Sequence, residues 1–330
     1  MPESFTAFVA QTVDGTHKQG VMDVPREWLS DSGTLIKVSW SGLNYKDALA
    51  ASPSGKVARI TPLVVGIDLA GEVISSDVEW LQPGTSVLAH GYDIGVAHHG
   101  GLSTLANVPS QWIVPLPAGL SLRESMAIGT AGYTAALSAL AICEHGLTPA
   151  DGPILVTGAT GGVGSFGINI LSRLGFEVVA STGKVQEISL LKSLGASEVV
   201  RRQDLAESPK PLMGATWAGA IDSVGGPGLA SILKQVKPGG VVAACGNVGG
   251  IDLATTVLPF ILRGVTLIGI DSSSTPIERR RVVWRQLGGE LKPLPFEEIE
   301  WEIGLDGVER ALTTLLNGAA VGRFIVSTQT

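Results

Sequence analysis

A run of glycines separates an apolar stretch from a helix-like one in ILVTGATGGVGSFGINILSRLG. Gly158, Gly161, Gly162 and Gly164 would let a pyrophosphate approach the backbone, where the free N–H groups and the positive dipole of a helix start can bind it. The spacing departs from the G-x-G-x-x-G pattern of many dinucleotide sites. A tight turn between strand and helix would use the same glycines without any ligand, so the neighbouring elements must decide.

The next apolar run, VVA, leads into Ser181, Thr182, Gly183 and Lys184. In a dinucleotide-binding domain an Asp or Glu at this place holds the ribose 2′-hydroxyl and repels a 2′-phosphate. Here two hydroxyls, a glycine N–H and an ammonium group offer an anion site instead. The sequence therefore predicts NADPH, and not NADH, as the cofactor.

A second cation for that phosphate follows the next predicted strand. Arg201 and Arg202 both stand there, and either is a candidate. The alternative is an ordinary surface pair of arginines, with Lys184 as a solvated lysine at a helix start.

Four polar side chains come directly after a strand-like segment in SGLNYKDALA. Amide, phenol, ammonium and carboxylate groups this close together can orient a carbonyl or donate a proton. Asn44, Tyr45 and Asp47 are therefore the candidate catalytic residues. The spacing fits equally well a helix that Asn44 caps and whose first turn contains Asp47.

Metal ligands are scarce. A catalytic zinc needs about three protein ligands and a structural zinc about four. Cys143 and Cys245 are far apart in the sequence, and the five histidines lack the spacing of metal ligands. The apolar segments around the two cysteines indicate that they are buried and unpaired, which favours a reducing compartment. We therefore expect no metal site. His98 and His99, in a glycine-rich loop, are more simply interpreted as exposed residues than as part of a site.

Strand-like and helix-like segments alternate from Pro153 to Ser274, beginning with PILVTG and ending with GVTLIGIDS. This rhythm predicts right-handed βαβ units and a doubly wound parallel sheet of the Rossmann type. The preceding part is rich in short β-branched runs, and Ser121 and Glu124 form a capping box that opens a helix into the second domain. We expect an α/β protein with a mostly β domain, residues 1–124 and 275–330, and a nucleotide-binding domain, residues 125–274.

Composition restricts the class of partner. The 330 residues are 45% hydrophobic and 16% charged, with a formal net charge of −7. Such a chain has no overall attraction for nucleic acid or anionic membranes. No basic n-region with an apolar h-region opens the chain, and no run reaches the ~20 apolar residues of a membrane span. We expect a cytoplasmic enzyme with a small-molecule substrate.

Six segments together resemble a known family: VTGATGGVGS, STGK, SGLNYKDALA, LVVGIDLAGEV, AIGTAGYTAALS and TTVLPFILRGVTLIGIDSSSTPIERR. The family is acrylyl-CoA reductase (NADPH), in the zinc-independent, quinone-oxidoreductase-like branch of the medium-chain dehydrogenases/reductases. The resemblance covers nearly the whole chain, and the last segment is its most specific part. It implies a GroES-like catalytic domain and metal-free reduction of acryloyl-CoA to propanoyl-CoA by hydride from NADPH.

The resemblance also implies cofactor contacts. By this resemblance Tyr45 contacts the nicotinamide end, and the other contacts are Thr160, Gly161, Gly162, Val163, Ser181, Thr182, Gly183, Arg202, Asn247, Ile261, Ser272 and Asn317. Two positions depart from the family pattern. Position 247 is usually apolar, and an asparagine pair near the end is replaced by Asn317-Gly318.

The implied chemistry is conjugate reduction, in which hydride adds to the β-carbon and charge collects on the thioester oxygen. Polar groups near Tyr45 and backbone N–H groups would stabilise that oxygen, and the α-carbon proton comes from Tyr45 or from water. An NADPH-dependent reductase of quinones, enals or enones is the first alternative. A non-catalytic NADPH sensor is the second.

Two surfaces are also predicted. Arg279, Arg280, Arg281 and Arg285 either attract the phosphates of CoA or, the simpler interpretation, form a solvated helix face. The apolar strand GVTLIGID is expected at the edge of its sheet, where it would pair with a second copy to form a homodimer.

Overall fold

The computed structural model describes residues 3–205, 208–293 and 297–329. The chain divides into two compact units. The first comprises Met1–Thr130, Ser273–Gly289 and Ile299–Thr330, and the second comprises Ala131–Ser272 and Glu290–Glu298. The boundaries expected after residues 124 and 274 lie a few residues from these divisions.

The segment Glu290–Glu298 was expected in the first domain with the rest of the tail, but it belongs to the second unit. Side chains of that unit bind it: Arg173 donates to the Lys292 carbonyl, and Ser193 donates to the carboxylate of Glu298. These bonds join residues more than a hundred positions apart, so local patterning does not reveal them.

The first unit starts with β-strands, as the short β-branched runs predict. Its elements are β1 Ser4–Val13, β2 Thr16–Pro25, β3 Thr34–Gly42, α1 Tyr45–Ala51, β4 Leu63–Val64, β5 Asp68–Ser76, β6 Ser86–His90, β7 Leu105–Val108 and β8 Val114–Pro115. Helix α2, Leu122–Glu144, follows. The capping box is confirmed, since Ser121 Oγ accepts from the Glu124 amide at 3.1 Å and Glu124 accepts from the Ser121 amide at 2.7 Å.

The second unit alternates strands and helices. Its elements are β9 Ile154–Val156, α3 Gly162–Arg173, β10 Val178–Thr182, α4 Ile188–Ser193, β11 Glu198–Arg201, β12 Trp217–Asp222, α5 Gly226–Leu233, β13 Val236–Ala244, α6 Leu258–Arg263 and β14 Thr266–Gly269. All six strands are parallel, in the order β11-β10-β9-β12-β13-β14. This is the doubly wound order 3-2-1-4-5-6, so the predicted Rossmann sheet is confirmed.

Two details of that unit differ from the prediction. The segment GLASILKQVKPGG has a helix-like pattern that predicts a helix through Gly240. The helix instead ends at Leu233, because Pro238 and Gly239, whose φ is 75°, do not continue a helix. The residues from Val236 onward instead start β13. The short helix α6 was not predicted.

The tail returns to the first unit as helix, strand, helix and strand: α7 Ile277–Leu287, β15 Glu300–Gly304, α8 Val308–Leu316 and β16 Arg323–Ser327. Strand β16 pairs with β3 in a seven-stranded sheet, and β2, β1 and β4 form a three-stranded one. An apolar core joins α8 to α1 through Val308, Ala311 and Leu312 packed near Ala48 and Ala51.

The basic helix α7 contradicts one expectation. Arg280 is fully buried, so it belongs neither to a solvated face nor to a surface that attracts CoA. Its guanidinium donates to the carbonyls of His90 and Ser273, both at 2.9 Å, and lies 4.5 Å from the ring centre of Tyr92. Its contacts with the backbone carbonyls and the aromatic ring offset the free-energy cost of removing the charge from water.

Helix α2 has the length and apolar composition of a membrane span. However, 72% of its most apolar stretch is buried, as in the core helix of a globular protein, and Gly129 interrupts it with φ 50°. A cytoplasmic location stays a prediction.

Candidate cofactor site and catalytic residues

The glycine loop packs the start of α3 tightly against the end of β9. A Cβ on Gly164 would lie 2.4 Å from the Gly158 carbonyl oxygen and 2.6 Å from the Cα of Ala159, so only glycine fits. Gly161 precedes the first helical turn, and Thr160, Gly162 and Val163 flank it. The amides of this first turn have no partners within the helix and can bind a pyrophosphate.

The predicted anion site lies at the carboxyl end of β10, where open α/β sheets bind their ligands. Ser181 and Thr182 are buried last residues of that strand. Thr182 Oγ1 accepts a hydrogen bond from the Lys184 amide at 2.9 Å, which closes the turn over Gly183. Burial lowers the pKa of Lys184. Thr182 therefore shapes the turn, and Ser181 lines the adjoining cleft.

The structure distinguishes the two arginines between which residue types alone did not decide. Arg201 is paired with Asp204, at 2.9 and 3.0 Å. Within the described residues Arg202 forms no such pair, and its guanidinium lies against Gly183, where a Cβ would be 3.2 Å from Nη2. Arg202 is therefore the candidate ligand of a 2′-phosphate.

A cleft of about 430 Å³ connects these groups, all within the second unit. Its lining includes Thr157, Gly158, Ser181, Arg202, Asp222, Val224, Gly225 and Gly249. Ser181, Gly183 and Arg202 form a cradle beside this cleft, and the two together fit an adenosine phosphate. The glycine loop fits the pyrophosphate of the same dinucleotide.

Asp222 is a further candidate site residue, which the sequence did not single out, in the lining of the cleft. It ends β12, is fully buried, and accepts from the Thr157 hydroxyl and from the Gly225 amide, both at 2.7 Å. Burial raises its pKa. The carboxylate thereby joins the ends of β9 and β12 at the cleft. An acid at the end of a buried apolar strand, followed by Gly-Gly in AIDSVGG, is the signal that points to it.

Three further candidates lie on the later part of the same unit. Asn247 is exposed in the turn after β13, with its Cα 3.1 Å from where a Cβ of Gly225 would be. It thus adjoins the cleft. Ile261 lies on α6 with 67% of its surface exposed, and Ser272 follows β14. Their contact with a cofactor stays a prediction.

The candidate catalytic residues belong to the first unit, where α1 begins at Tyr45. Tyr45 is half-buried, and its hydroxyl has no hydrogen-bond partner among the described residues. Next to it, Lys46 Nζ donates to Ser273 Oγ at 2.8 Å. Within the described residues, the phenol is therefore the polar group of the NYKD segment that no side chain or backbone group binds.

Asp47 and Asn44, in contrast, are engaged by the fold. Asp47 is fully buried, and its carboxylate accepts from the amides of Asn44 at 2.7 Å and Ile67 at 2.8 Å. Burial, and then the neighbouring carboxylate of Asp68, raise the pKa of Asp47 to about 7. The helix-start interpretation thus describes both residues, and their direct role in chemistry stays a prediction.

The remaining candidates are also placed. Asn317 is the residue after α8 and is exposed, in the first unit. His98 and His99 are half-buried, and not exposed as expected: His99 Nδ1 accepts from the Val64 amide at 3.1 Å, and its ring stacks on Trp28. Burial lowers the pKa of His99 to about 4.

The possible metal ligands of the described residues are not grouped as zinc requires. Over residues 3–205, 208–293 and 297–329, His, Cys, Asp and Glu form no group of three that could hold a metal ion. Where acids and a histidine do lie close, donors occupy them: Asp68 accepts from Arg323 and Asn44, and His90 Nε2 accepts from Trp284 Nε1 at 2.7 Å. Cys143 and Cys245 are free and half-buried.

Two family models match the chain. "Alcohol dehydrogenase GroES-like domain" matches residues 30–118, and "Zinc-binding dehydrogenase" matches residues 162–287. Among curated relatives, the acrylyl-CoA reductase AcuI of Ruegeria pomeroyi is 45% identical over 88% of both chains. YhfP of Bacillus subtilis, which has a provisional name as a quinone oxidoreductase, is 46% identical over 93% of both.

The chain belongs to the acrylyl-CoA reductase family of the medium-chain dehydrogenases/reductases. Solved structures agree with this membership. The oxidoreductase YhdH of Salmonella enterica, in complex with NADP, is 43% identical and superposes with a TM-score of 0.94 over 98% of this chain and 99% of that one. The YhfP structure of Bacillus subtilis, with NAD bound, is 44% identical and has a TM-score of 0.96 over 99% and 100%.

Membership of this family bears on the predicted fold and on the predicted absence of a metal. A parallel dinucleotide-binding sheet and a β-rich GroES-like domain are confirmed as the fold. The zinc in the name of one family model has no counterpart among the His, Cys, Asp and Glu side chains of the described residues.

Proposed function

We propose that the protein reduces the α,β double bond of acryloyl-CoA with NADPH and a proton, giving propanoyl-CoA and NADP⁺. The observation that carries the choice of NADPH is the cradle of Ser181, Gly183 and Arg202 at the carboxyl end of the sheet. It contains no acid, and its Arg202 has no ion-pair partner among the described residues. Relatives named as acrylyl-CoA reductases cover most of the chain, which supports the choice of substrate.

NADPH supplies the hydride when it is bound. The chain's own residues bind and orient it: Thr160, Gly161, Gly162 and Val163 present amides to the pyrophosphate, and Arg202 holds the 2′-phosphate. Asn247, Ile261, Ser272 and Asn317 are proposed as further contacts. NADP and NADPH in solved relatives support this choice, whereas one relative binds NAD.

Tyr45 is the proposed catalytic residue. Its phenol can donate a hydrogen bond to the thioester oxygen, where charge collects, or pass a proton to the α-carbon. Asn44 and Asp47 then act on this chemistry through the position of the helix start, since the fold already occupies their polar atoms.

The substrate is tested by comparing turnover of acryloyl-CoA, crotonyl-CoA and a quinone with saturating NADPH. We expect the highest kcat/KM with acryloyl-CoA. A strong preference for the quinone would overturn the proposal and favour the alternative that the name of the Bacillus subtilis relative suggests. Tight NADPH binding without oxidation by any of the three would indicate a sensor.

We also propose a homodimer formed through β14. This strand lies at the edge of its sheet, and apolar side chains of the preceding segment are exposed, including Ile251, Val257 and Leu262. Unpaired backbone groups beside apolar side chains favour pairing with a second copy. We expect Leu262→Glu to shift sedimentation to the monomer, and Val21→Glu, at an exposed position of β2, to leave a dimer. A wild-type monomer at micromolar concentration would refute the dimer.

A further inference from the structure

The start of α1 is held by a side chain from the far end of the chain. Arg323, on β16, is fully buried, and its Nη1 donates to the Leu43 carbonyl at 2.6 Å and to Asn44 Oδ1 at 2.7 Å. Leu43 and Asn44 are the two residues before Tyr45. The guanidinium thus contacts the backbone before α1 and the N-cap residue Asn44, which together determine where α1 and its first residue, Tyr45, lie.

Asp68 completes this arrangement from β5. Its Oδ2 accepts from Arg323 Nη2 at 3.3 Å and from Asn44 Nδ2 at 2.9 Å, and it also accepts from the Thr130 amide at 2.9 Å. Asn44 is therefore held at both ends of its amide, by a cation at the oxygen and by an anion at the nitrogen. Both charged side chains are buried.

Two glycines make space for the guanidinium. A Cβ on Gly42 would lie 2.6 Å from Arg323 Nη2, and a Cβ on Gly129 would lie 2.3 Å from the same atom. Arg323 also donates to the carbonyls of Ala127 and Met126, at 3.2 and 3.3 Å. The planar fork of an arginine matches these acceptors, which a lysine ammonium cannot reach together.

Such a pair is not explained by stability alone. Replacing a buried ion pair with well-packed apolar residues is often neutral or stabilising, because desolvation offsets the Coulomb attraction. What the pair provides at this place is a defined geometry, directed at the two residues before Tyr45.

We propose that Arg323 is a positioning residue for the reaction: with Asp68 it fixes Leu43 and Asn44, and thereby the place of the Tyr45 phenol. The proposal rests on the role of Tyr45 given under the proposed function. Nothing in the local sequence connects these residues, since Arg323 and Asn44 are 279 positions apart.

The first test is a double-mutant cycle of Arg323→Lys and Tyr45→Phe, read as kcat for acryloyl-CoA. Arg323→Lys keeps the charge but loses the fork, and we expect kcat to fall on the order of ten- to a hundredfold, because a misplacement of about 1 Å can have this effect. In the Tyr45→Phe background the same change should have little further effect. An equal fall in both backgrounds would overturn the proposal.

Controls separate positioning from a general loss of structure. Arg59→Lys makes the same substitution at an exposed ion pair of the first unit and should leave kcat unchanged. The dissociation constant for NADPH, whose phosphate cradle is in the second unit, should change little in Arg323→Lys. If that variant does not fold, Asn44→Ala removes the amide that Arg323 and Asp68 hold without leaving a charge unpaired, and the same cycle with Tyr45→Phe decides.

A second measurement does not depend on turnover. The chain has three tyrosines, so 3-fluorotyrosine labelling gives three fluorine resonances, and Tyr45→Phe assigns one of them. Arg323→Lys should shift or broaden the Tyr45 resonance and leave that of Tyr133, in the second unit, unchanged. An unmoved Tyr45 resonance would refute the positioning role. If Tyr45→Phe alone leaves kcat unchanged while this resonance moves, the proposed function of Tyr45 fails and the structural coupling stands.

Discussion

The guanidinium of Arg202 lies against Gly183, with Nη2 3.2 Å from the point that a Cβ on this glycine would occupy. The two residues follow neighbouring parallel strands, β11 and β10, at the same edge of the sheet. A glycine after one strand thus leaves the space in which the arginine after the next strand can bind a phosphate.

Arg202→Ala should raise KM for NADPH on the order of ten- to a hundredfold, since a hydrogen bond to a charged group contributes about 1.5–3 kcal/mol. KM for NADH should change little, because NADH has no 2′-phosphate. Initial rates with each cofactor measure both constants. Arg201→Ala is the matched control, because Arg201 is occupied by Asp204. Equal effects on NADPH and NADH would contradict the cradle, and Lys184→Ala tests its smaller contribution in the same way.

Gly183→Asp should reverse the cofactor preference toward NADH. The backbone of Gly183 is not in the left-handed region, so a side chain is tolerated, and the new carboxylate would pair with Arg202 and repel a 2′-phosphate. The ratio of kcat/KM for NADPH to that for NADH measures the change. Gly183→Asn, similar in shape but without the charge, should alter the ratio less. If the two variants behave alike, size and not charge decides.

The parallel sheet could be predicted, and its candidate phosphate cradle located, because their signals are local. Alternating strands and helices fix the strand order through right-handed crossovers, and the carboxyl ends of parallel strands then converge on one edge. Gly158 to Gly164 and Ser181 to Lys184 therefore came together as predicted. Residue types alone did not distinguish Arg201 from Arg202. The family resemblance favoured Arg202, and the structure adds a physical reason, since Asp204 occupies the guanidinium of Arg201.

Other parts of the site depend on partners distant in sequence. The NYKD spacing was compatible with both catalysis and a helix start. The contacts of Asn44 with Arg323 and Asp68 show that its amide holds the helix start, which leaves Tyr45 as the proposed catalytic residue. Arg280 was expected at a solvated face, but it is buried and donates to the backbone carbonyls of His90 and Ser273. Spacing along one helix does not show what the helix packs against.

Gly164→Ala should destabilise the protein and weaken NADPH binding. The added Cβ would meet the backbone of Gly158 and Ala159 at 2.4 and 2.6 Å, and backbone cannot move aside as a side-chain end does. We expect the free energy of unfolding to fall by about 1–3 kcal/mol, as for overpacking in other cores. Urea denaturation measures it. Gly167→Ala on the same helix is the control, since its Cβ would meet only side-chain methyl groups, 3.3 Å away at the closest, and should cost less. Equal losses would indicate that helix packing at the loop is not the cause.

Asp47→Asn should change how stability depends on pH. Because the pKa of Asp47 is raised to about 7 by burial and by Asp68, the folded protein holds a proton between pH 4 and 7 that the unfolded chain has released. The wild type therefore loses stability as pH rises through this window, by up to about 1.4 kcal/mol per pH unit, whereas the variant has no such proton to lose. Urea denaturation at pH 5, 6, 7 and 8 gives the unfolding free energy of each protein. The value for the wild type minus that for the variant should fall with pH and level off above 7. Asp31→Asn, in an exposed loop, should give a difference without this slope. A difference that is flat for Asp47→Asn, or that rises with pH, would mean that the carboxylate is ionised in the folded protein and that the amides of Asn44 and Ile67 outweigh its burial.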